Sequence, residues 1–244
     1  MQRALYAFAT VTLAAACSSS AASDHPPTVR TSDAVEAPAA SPTSHPSAPP
    51  TFRGSIGRIA EPLRARIVRR NWHPGCPVPL QDLRVVMISY WGFDGLVHEG
   101  PLVVNQRVAE DILGVFRRLF RAHFAIKRVD LARKYHPKAP IDWNSKRDVT
   151  AGFNCRPVTE RPGVWSQHAY GLAVDINPLQ NPYVRSDGSV LRKAAKPFRD
   201  RSLHLQGMIH PGDVVVRAFA RIGWGWGGHF TGIKDYMHFS ANGK

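Results

Sequence analysis

Two short stretches carry the residues best suited to chemistry. The first is Ser166-Gln-His-Ala-Tyr-Gly-Leu-Ala-Val-Asp175, which sets His168 and Asp175 on either side of a glycine and small apolar residues. The second is Asp235-Tyr-Met-His-Phe239, which adds Asp235 and His238 near the C-terminus. A catalytic zinc takes about three protein ligands from His, Asp, Glu or Cys and leaves one position for water. His168, Asp175 and His238 supply such a set, and Asp235 would be a carboxylate beside it. No HExxH is present, and each histidine read alone is as well explained by a packed strand or a solvated surface.

These residues need elements to bring them together. "GLAVDIN" reads as a buried strand, with Gly171 at a place where backbones come close. Positions three apart on a straight strand point to opposite faces. Asp235 and His238 therefore share a site only if Asp235 precedes the strand or the chain bends at Tyr236-Met237. Upstream, "LRVVMISYWGFDGLVHEGPLVVN" alternates on both sides of Phe93-Asp94-Gly95 and predicts a hairpin. Asn105 then caps a helix whose Val108, Ile112, Val115, Phe116, Leu119 and Phe120 share one face. "FAIKRVDLA" reads as a further strand, Asp187-Gly188 as a turn, and Asp213 to Gly223 as a second capped helix. Strands interrupted by a few helices, without βαβ alternation, predict an α+β fold with a central antiparallel sheet flanked by helices.

The ends place the chain outside the cytoplasm. Residues 1–17 hold one early cation, Arg3, and an apolar run too short for a membrane span, which reads as an export signal. The run ends in Leu-Ala-Ala-Ala-Cys17, which resembles a bacterial lipoprotein cleavage box, so Cys17 is the expected lipidation site and the membrane an expected partner. Residues 18–52 are Ser, Pro, Ala and Thr with almost no large apolar side chain, a linker that cannot form a core. Residues 53–244 are the expected folded domain. Cys76 and Cys155 remain, and in an oxidising compartment two leftover cysteines point to a disulfide. The formal charge of +14 favours an anionic partner. With an export signal and no recognised binding motif, that partner is the cell envelope rather than nucleic acid.

The pattern S-x-H-x-x-G-x-A-x-D followed by D-x-x-H-F resembles the zinc peptidase family of D-alanyl-D-alanine carboxypeptidases and L-alanyl-D-glutamate endopeptidases, whose fold is shared with the hedgehog signalling domain. The matching residues are Ser166, His168, Gly171, Ala173 and Asp175, then Asp235, His238 and Phe239, with "WGWGG" before the second motif. The resemblance implies zinc held by His168, Asp175 and His238, Asp235 as general base, and the peptide stem of peptidoglycan as substrate. It implies an upstream arginine that holds the substrate; Arg156 in "GFNCR" is the expected one, with Arg161 and Arg147 behind it. Ser166, Tyr170 and Trp226 are expected at the substrate cleft, whereas Trp224 suits the core equally well. Many carboxypeptidases of the family have Glu where this chain has Asp235, which leans toward the endopeptidases. The alternative is a non-catalytic wall-binding module with a structural zinc. His204 and His210 read as loop residues, and His229 as a cleft-edge residue with no assigned role.

Overall fold

A computed structural model describes residues 49–134, 136 and 146–244. The export signal, Cys17 and nearly all of the predicted linker lie outside the described residues. Among those described, no helix is long and apolar enough to cross a membrane.

The hairpin forms where the alternation predicts it. Strand β2 (Leu83–Trp91) pairs antiparallel with β3 (Val97–Asn105) in a continuous register from Leu83↔Asn105 to Trp91↔Val97, and β1 (Gly54–Arg58) adds on the other side of β2. Asn105 ends β3 and turns the chain, its side-chain oxygen accepting from the Arg107 amide at 3.1 Å. A 3-10 turn over Gln106–Val108 leads into α2 (Ala109–Arg121), so the α-helix proper starts a turn later than the apolar stripe suggests. Ile112, Val115, Phe116 and Leu119 are each at most 1% exposed. They pack on Val86, Ile88, Leu102 and Val104 of the sheet, and each stabilises the fold by about 1.5–3 kcal/mol on burial.

The same core continues into the half of the domain that holds the site. Helix α3 (Val214–Ala220) presents Val215, Ala218 and Phe219 to it, and the Phe219 ring stacks on Phe239 at 4.1 Å between centroids. A second three-stranded sheet lies here, in the order β6 (Ala173–Asp175), β10 (His238–Ser240), β8 (Gly225–Trp226). Two two-stranded pairs accompany it: the hairpin of β4 (Pro157–Val158) with β5 (Arg161–Trp165), and the sequence-distant β7 (Tyr183–Val184) with β9 (Lys234–Asp235). All these pairings are antiparallel, and helices mix with them as an α+β fold requires. The expected single central sheet is instead two three-stranded sheets bridged by one core.

A smaller apolar cluster sits behind the first sheet. Ile67 of α1 (Leu63–Arg70), Leu83, Val103, Leu131, Phe153 and Cys155 form it. Cys76 and Cys155 are joined there by a disulfide, with Cα atoms 5.8 Å apart. Their bonded sulfurs explain why His73, Cys76 and Cys155 cluster without forming a metal site.

Two local expectations need correction. "FAIKRVDLA" is extended but forms no ladder. Its amides and carbonyls bond alternately to different neighbours: Ile126 N–H to Trp91, and Thr150 N–H to Arg128. Asp213 does occupy the N-cap position of α3, but its carboxylate accepts from the His210 amide at 2.7 Å rather than from the helix.

Candidate metal centre

The centre is built on the facing strands β6 and β10, where His238 and Asp175 are directly opposed. Cross-strand partners are the closest pairs a sheet offers, so this register alone brings an imidazole against a carboxylate. His168 arrives from a 3-10 turn, Gln167–Tyr170, immediately before β6. The Ser166 hydroxyl accepts from the His168 amide, and Gly171, at φ 68°, ends the turn in the left-handed region. A Cβ on Gly171 would lie 2.6 Å from the Asn105 amide nitrogen, so the glycine serves both the turn and a close backbone approach.

Three atoms converge. His168 Nε2 and His238 Nδ1 are 3.2 Å apart, and each lies 3.1 Å from Asp175 Oδ1. His168 Nδ1 donates to the Gly152 carbonyl at 2.7 Å. That bond fixes the tautomer and leaves the Nε2 lone pair facing the other two atoms. Burial works against the Asp175 carboxylate, but the two imidazoles outweigh it and hold its pKa well below the ordinary carboxylate value.

The donor set fits zinc. Zn–N and Zn–O distances of about 2.0–2.2 Å put the ligand atoms of a tetrahedral site about 3.3–3.6 Å apart, close to the triangle observed. Among the described residues the cluster offers three donors, the number of a catalytic zinc site rather than of a closed structural one.

Asp235 reaches the same place by a different route. It ends β9, paired with Tyr183 of β7, and the chain turns through Tyr236 and Met237 before β10 begins at His238. The bend that the three-residue spacing demands is therefore present. Trp226 Nε1 donates to the Tyr236 carbonyl at 2.8 Å, and the Arg201 guanidinium stacks 4.4 Å above the Tyr236 ring. A Cβ on Gly227 would meet the Asp235 carbonyl at 2.3 Å, which explains a glycine in "WGWGG". Asp235 Oδ1 is buried with no hydrogen-bond partner in the protein. Burial raises its carboxyl to about 7; the Asp175 charge adds to this, while His238, Arg156 and Arg192 pull the other way.

Asp175 and Asp235 line a cavity of about 350 Å³. Arg156, residues of the β4–β5 hairpin, Tyr183, Leu191 and Arg192 also line it. The Arg156 guanidinium donates to the Pro157 carbonyl at 3.0 Å and to the Thr159 hydroxyl at 3.4 Å. Arg147 and Arg161 also line the cavity. Glu160 at the hairpin tip pairs with Arg185 at 2.6 Å.

Three residues expected at the cleft are placed elsewhere. Ser166 is 5% exposed and caps the His168 turn. Trp226 is a core residue whose indole holds the Asp235–His238 bend. Tyr170 is half-buried and outside the cavity wall, with its carbonyl accepting from Asn105 Nδ2. Each shapes the site from behind. His204 and His210 stack on each other at 4.2 Å, and His229 meets the edge of Trp226 at 5.0 Å. Arg192 was not foreseen. The turn at Asp187-Gly188 carried the only available signal, because a hairpin there returns Leu191 beside Tyr183 and so brings its neighbour to the cavity.

Residues 159–241 match a family model described as D-alanyl-D-alanine carboxypeptidase. The match spans His168, Asp175, Asp235 and His238 and stops short of Arg156. No curated protein and no solved structure matches the chain.

Proposed function

We propose that the chain is an exported zinc peptidase that hydrolyses peptide bonds in the stem peptide of peptidoglycan, as a D-alanyl-D-alanine carboxypeptidase or an L-alanyl-D-glutamate-type endopeptidase. The observation that carries this reading is the triangle of His168, Asp175 and His238 donors, with Asp235, whose Oδ1 is buried and unpartnered, beside Asp175 in a cation-lined cavity. The family match over these residues supports it. A non-catalytic module with a structural zinc is the weaker reading, because a fourth protein donor is missing from the cluster among the described residues.

His168, Asp175 and His238 would hold the zinc, which when bound supplies Lewis acidity toward water and a peptide carbonyl. The chain's own groups then handle protons and charge. Asp235 takes a proton from the attacking water and passes it to the amine as the C–N bond breaks. Its free Oδ1 has no competing protein donor to turn it away. Arg156 donates hydrogen bonds toward the oxyanion as charge develops there. Arg192, which lines the same cavity, would fix a substrate carboxylate. The Gly152 carbonyl keeps His168 in its ligating tautomer throughout.

Export is part of the same reading. The N-terminal apolar run, the Cys17 box and the Cys76–Cys155 bridge suit an extracytoplasmic protein, lipid-anchored at Cys17 and held near an anionic envelope. The test is incubation with purified peptidoglycan fragments, with and without a chelator, and mass analysis of the products. Loss of a terminal D-alanine or cleavage after L-alanine, abolished by the chelator, is expected. No chelator-sensitive product removes the peptidase reading.

A further inference from the structure

A second cleft adjoins the cavity and plays no part in the chemistry above. It is lined by Arg66, Arg70, Lys127, Arg128, Lys146 and Arg147, with Asp130 and Asp148 as its acids. Arg147 and Val149 line both clefts, so they form a common wall. Of the two acids, Asp130 is already ion-paired. Asp130 accepts from Arg66 at 2.8 Å and from Arg128 at 2.9 Å. Asp148 is buried, with one oxygen accepting from the Leu179 amide and the other without a hydrogen-bond partner. Arg70, Lys127 and Lys146 have no carboxylate within ion-pair distance among the described residues. Burial first, then the charge on Arg70 and, less, those on Arg128 and Arg133, disfavour the cationic form of Arg147 against the opposing pull of Asp130.

Such crowding costs stability in the free protein and is relieved when an anion enters. The pieces come from three separate segments: α1, the strip after α2 and the strip before Gly152. A face merely solvated by scattered charge has no need of that convergence. We propose that this cleft is an extended substrate subsite that binds the carboxylates of a neighbouring acidic peptide on the same polymer. The inference rests on the peptidase reading for its occupant. A polymer with one peptide in the cavity must lead away from it, and the shared wall at Arg147 makes the cationic cleft an adjoining path.

The test compares R70E/K146E with R58E/R221E, which makes the same charge change at exposed positions outside the cleft, and with R70K/K146R, which keeps the charge. Chelator-treated protein is sedimented with purified peptidoglycan stripped of phosphate polymers, at low salt. R70E/K146E is expected to bind about tenfold more weakly than the parent, with the other two unchanged. Zinc-loaded R70E/K146E should cleave a short soluble stem peptide within about twofold of the parent rate while losing kcat/KM on the polymer. Equal weakening by R58E/R221E, an equal loss on the short peptide, or binding only to peptidoglycan that retains its phosphate polymers would overturn the proposal. The sedimentation arm needs no turnover. A chain that binds through the cleft but hydrolyses nothing would therefore sink the peptidase reading and leave the cleft as a peptide-carboxylate binding site without a substrate role.

Discussion

Removing the Cys76–Cys155 bridge should act on both the fold and the metal centre. The bridge closes a loop with a sequence separation of 79 residues. On the chain-entropy estimate, a loop of that length confines the unfolded chain by about 4.5 kcal/mol at 25 °C, a large fraction of the stability of any single domain. The effect should also reach the proposed zinc ligands. Cys155 lies in the strip whose Gly152 carbonyl accepts from His168 Nδ1 and whose Asn154 amide donates to the His168 carbonyl at 3.0 Å. Loosening this strip is expected to weaken zinc binding about tenfold, the lower end of what outer-shell partners contribute. C76A/C155A and the reduced parent should be unfolded in urea beside the oxidised parent, and zinc affinity read by competition with a chromogenic chelator. The reduced parent keeps both sulfur atoms, so it separates the bridge from the cavity that the alanines leave. A loss below about 1 kcal/mol in the reduced parent would refute the argument that the bridge limits the unfolded ensemble.

Four further outcomes are expected. His168→Ala should lose bound zinc by elemental analysis, since it removes one of three donors; unchanged metal content would break the ligand assignment. Asp235→Asn should retain zinc and lose turnover by about a hundred- to ten-thousand-fold, and near-parental rates would take Asp235 out of the mechanism. Gly171→Ala places a Cβ 2.6 Å from the Asn105 amide nitrogen at φ 68°; it should destabilise by about 2–4 kcal/mol, measured by denaturant titration. Asp130 is pushed up by burial but more strongly down by the Leu131 amide and the Arg66 and Arg128 guanidiniums, so its folded pKa lies below 3.8. A depressed pKa contributes stability above the unfolded value that is lost as pH falls through the folded one. Asp130→Asn should therefore cost about 1.5–3 kcal/mol near neutrality, and the gap to the parent should close below pH 3.8. A gap independent of pH would show that the charge is not the cause.

Much of this was open to reading because two signals are strong. The β2–β3 hairpin pairs nine apolar-rich residues per strand about the Phe93-Asp94-Gly95 turn, and the α2 stripe repeats over three turns. The strands of the metal centre have two or three residues each. That is too short for a period of two to register, so their split into a separate sheet left no trace in the pattern. "FAIKRVDLA" failed in the opposite sense: its apolar residues are buried, with Ile126, Val129 and Leu131 at 1–3% exposure, but burial came from packing between neighbours and not from a ladder. The three donors that converge, His168, Asp175 and His238, were legible as residue types in two motifs. The roles of Ser166 and Trp226 were not, because a hydroxyl that caps a turn and an indole that holds a bend look in sequence like groups that touch a substrate. Arg192 was hidden among many arginines until the hairpin at Asp187-Gly188 returned it to the cavity.

The bend between Asp235 and His238 explains why the site needs so much structure behind it. Had Asp235 continued the strand of His238, the pleat would have turned its carboxylate to the opposite face. A one-residue slip between β6 and β10 would likewise turn one ligand out of the centre. A ladder of three residues does not set that register by itself. It is held on one side by the Ile176 amide on the Met237 carbonyl, on the other by the Ala241 amide on the Leu172 carbonyl, and beneath by Phe239 stacked on Phe219. The bend is held separately, by Trp226 on the Tyr236 carbonyl and by the space that Gly227 leaves for the Asp235 backbone. The proposed metal ligation and proton transfer thus rest on different supports. On this architecture, damage to the Trp226 contact should move Asp235 and spare the ligand triangle, whereas damage to the Phe219–Phe239 stack should move both.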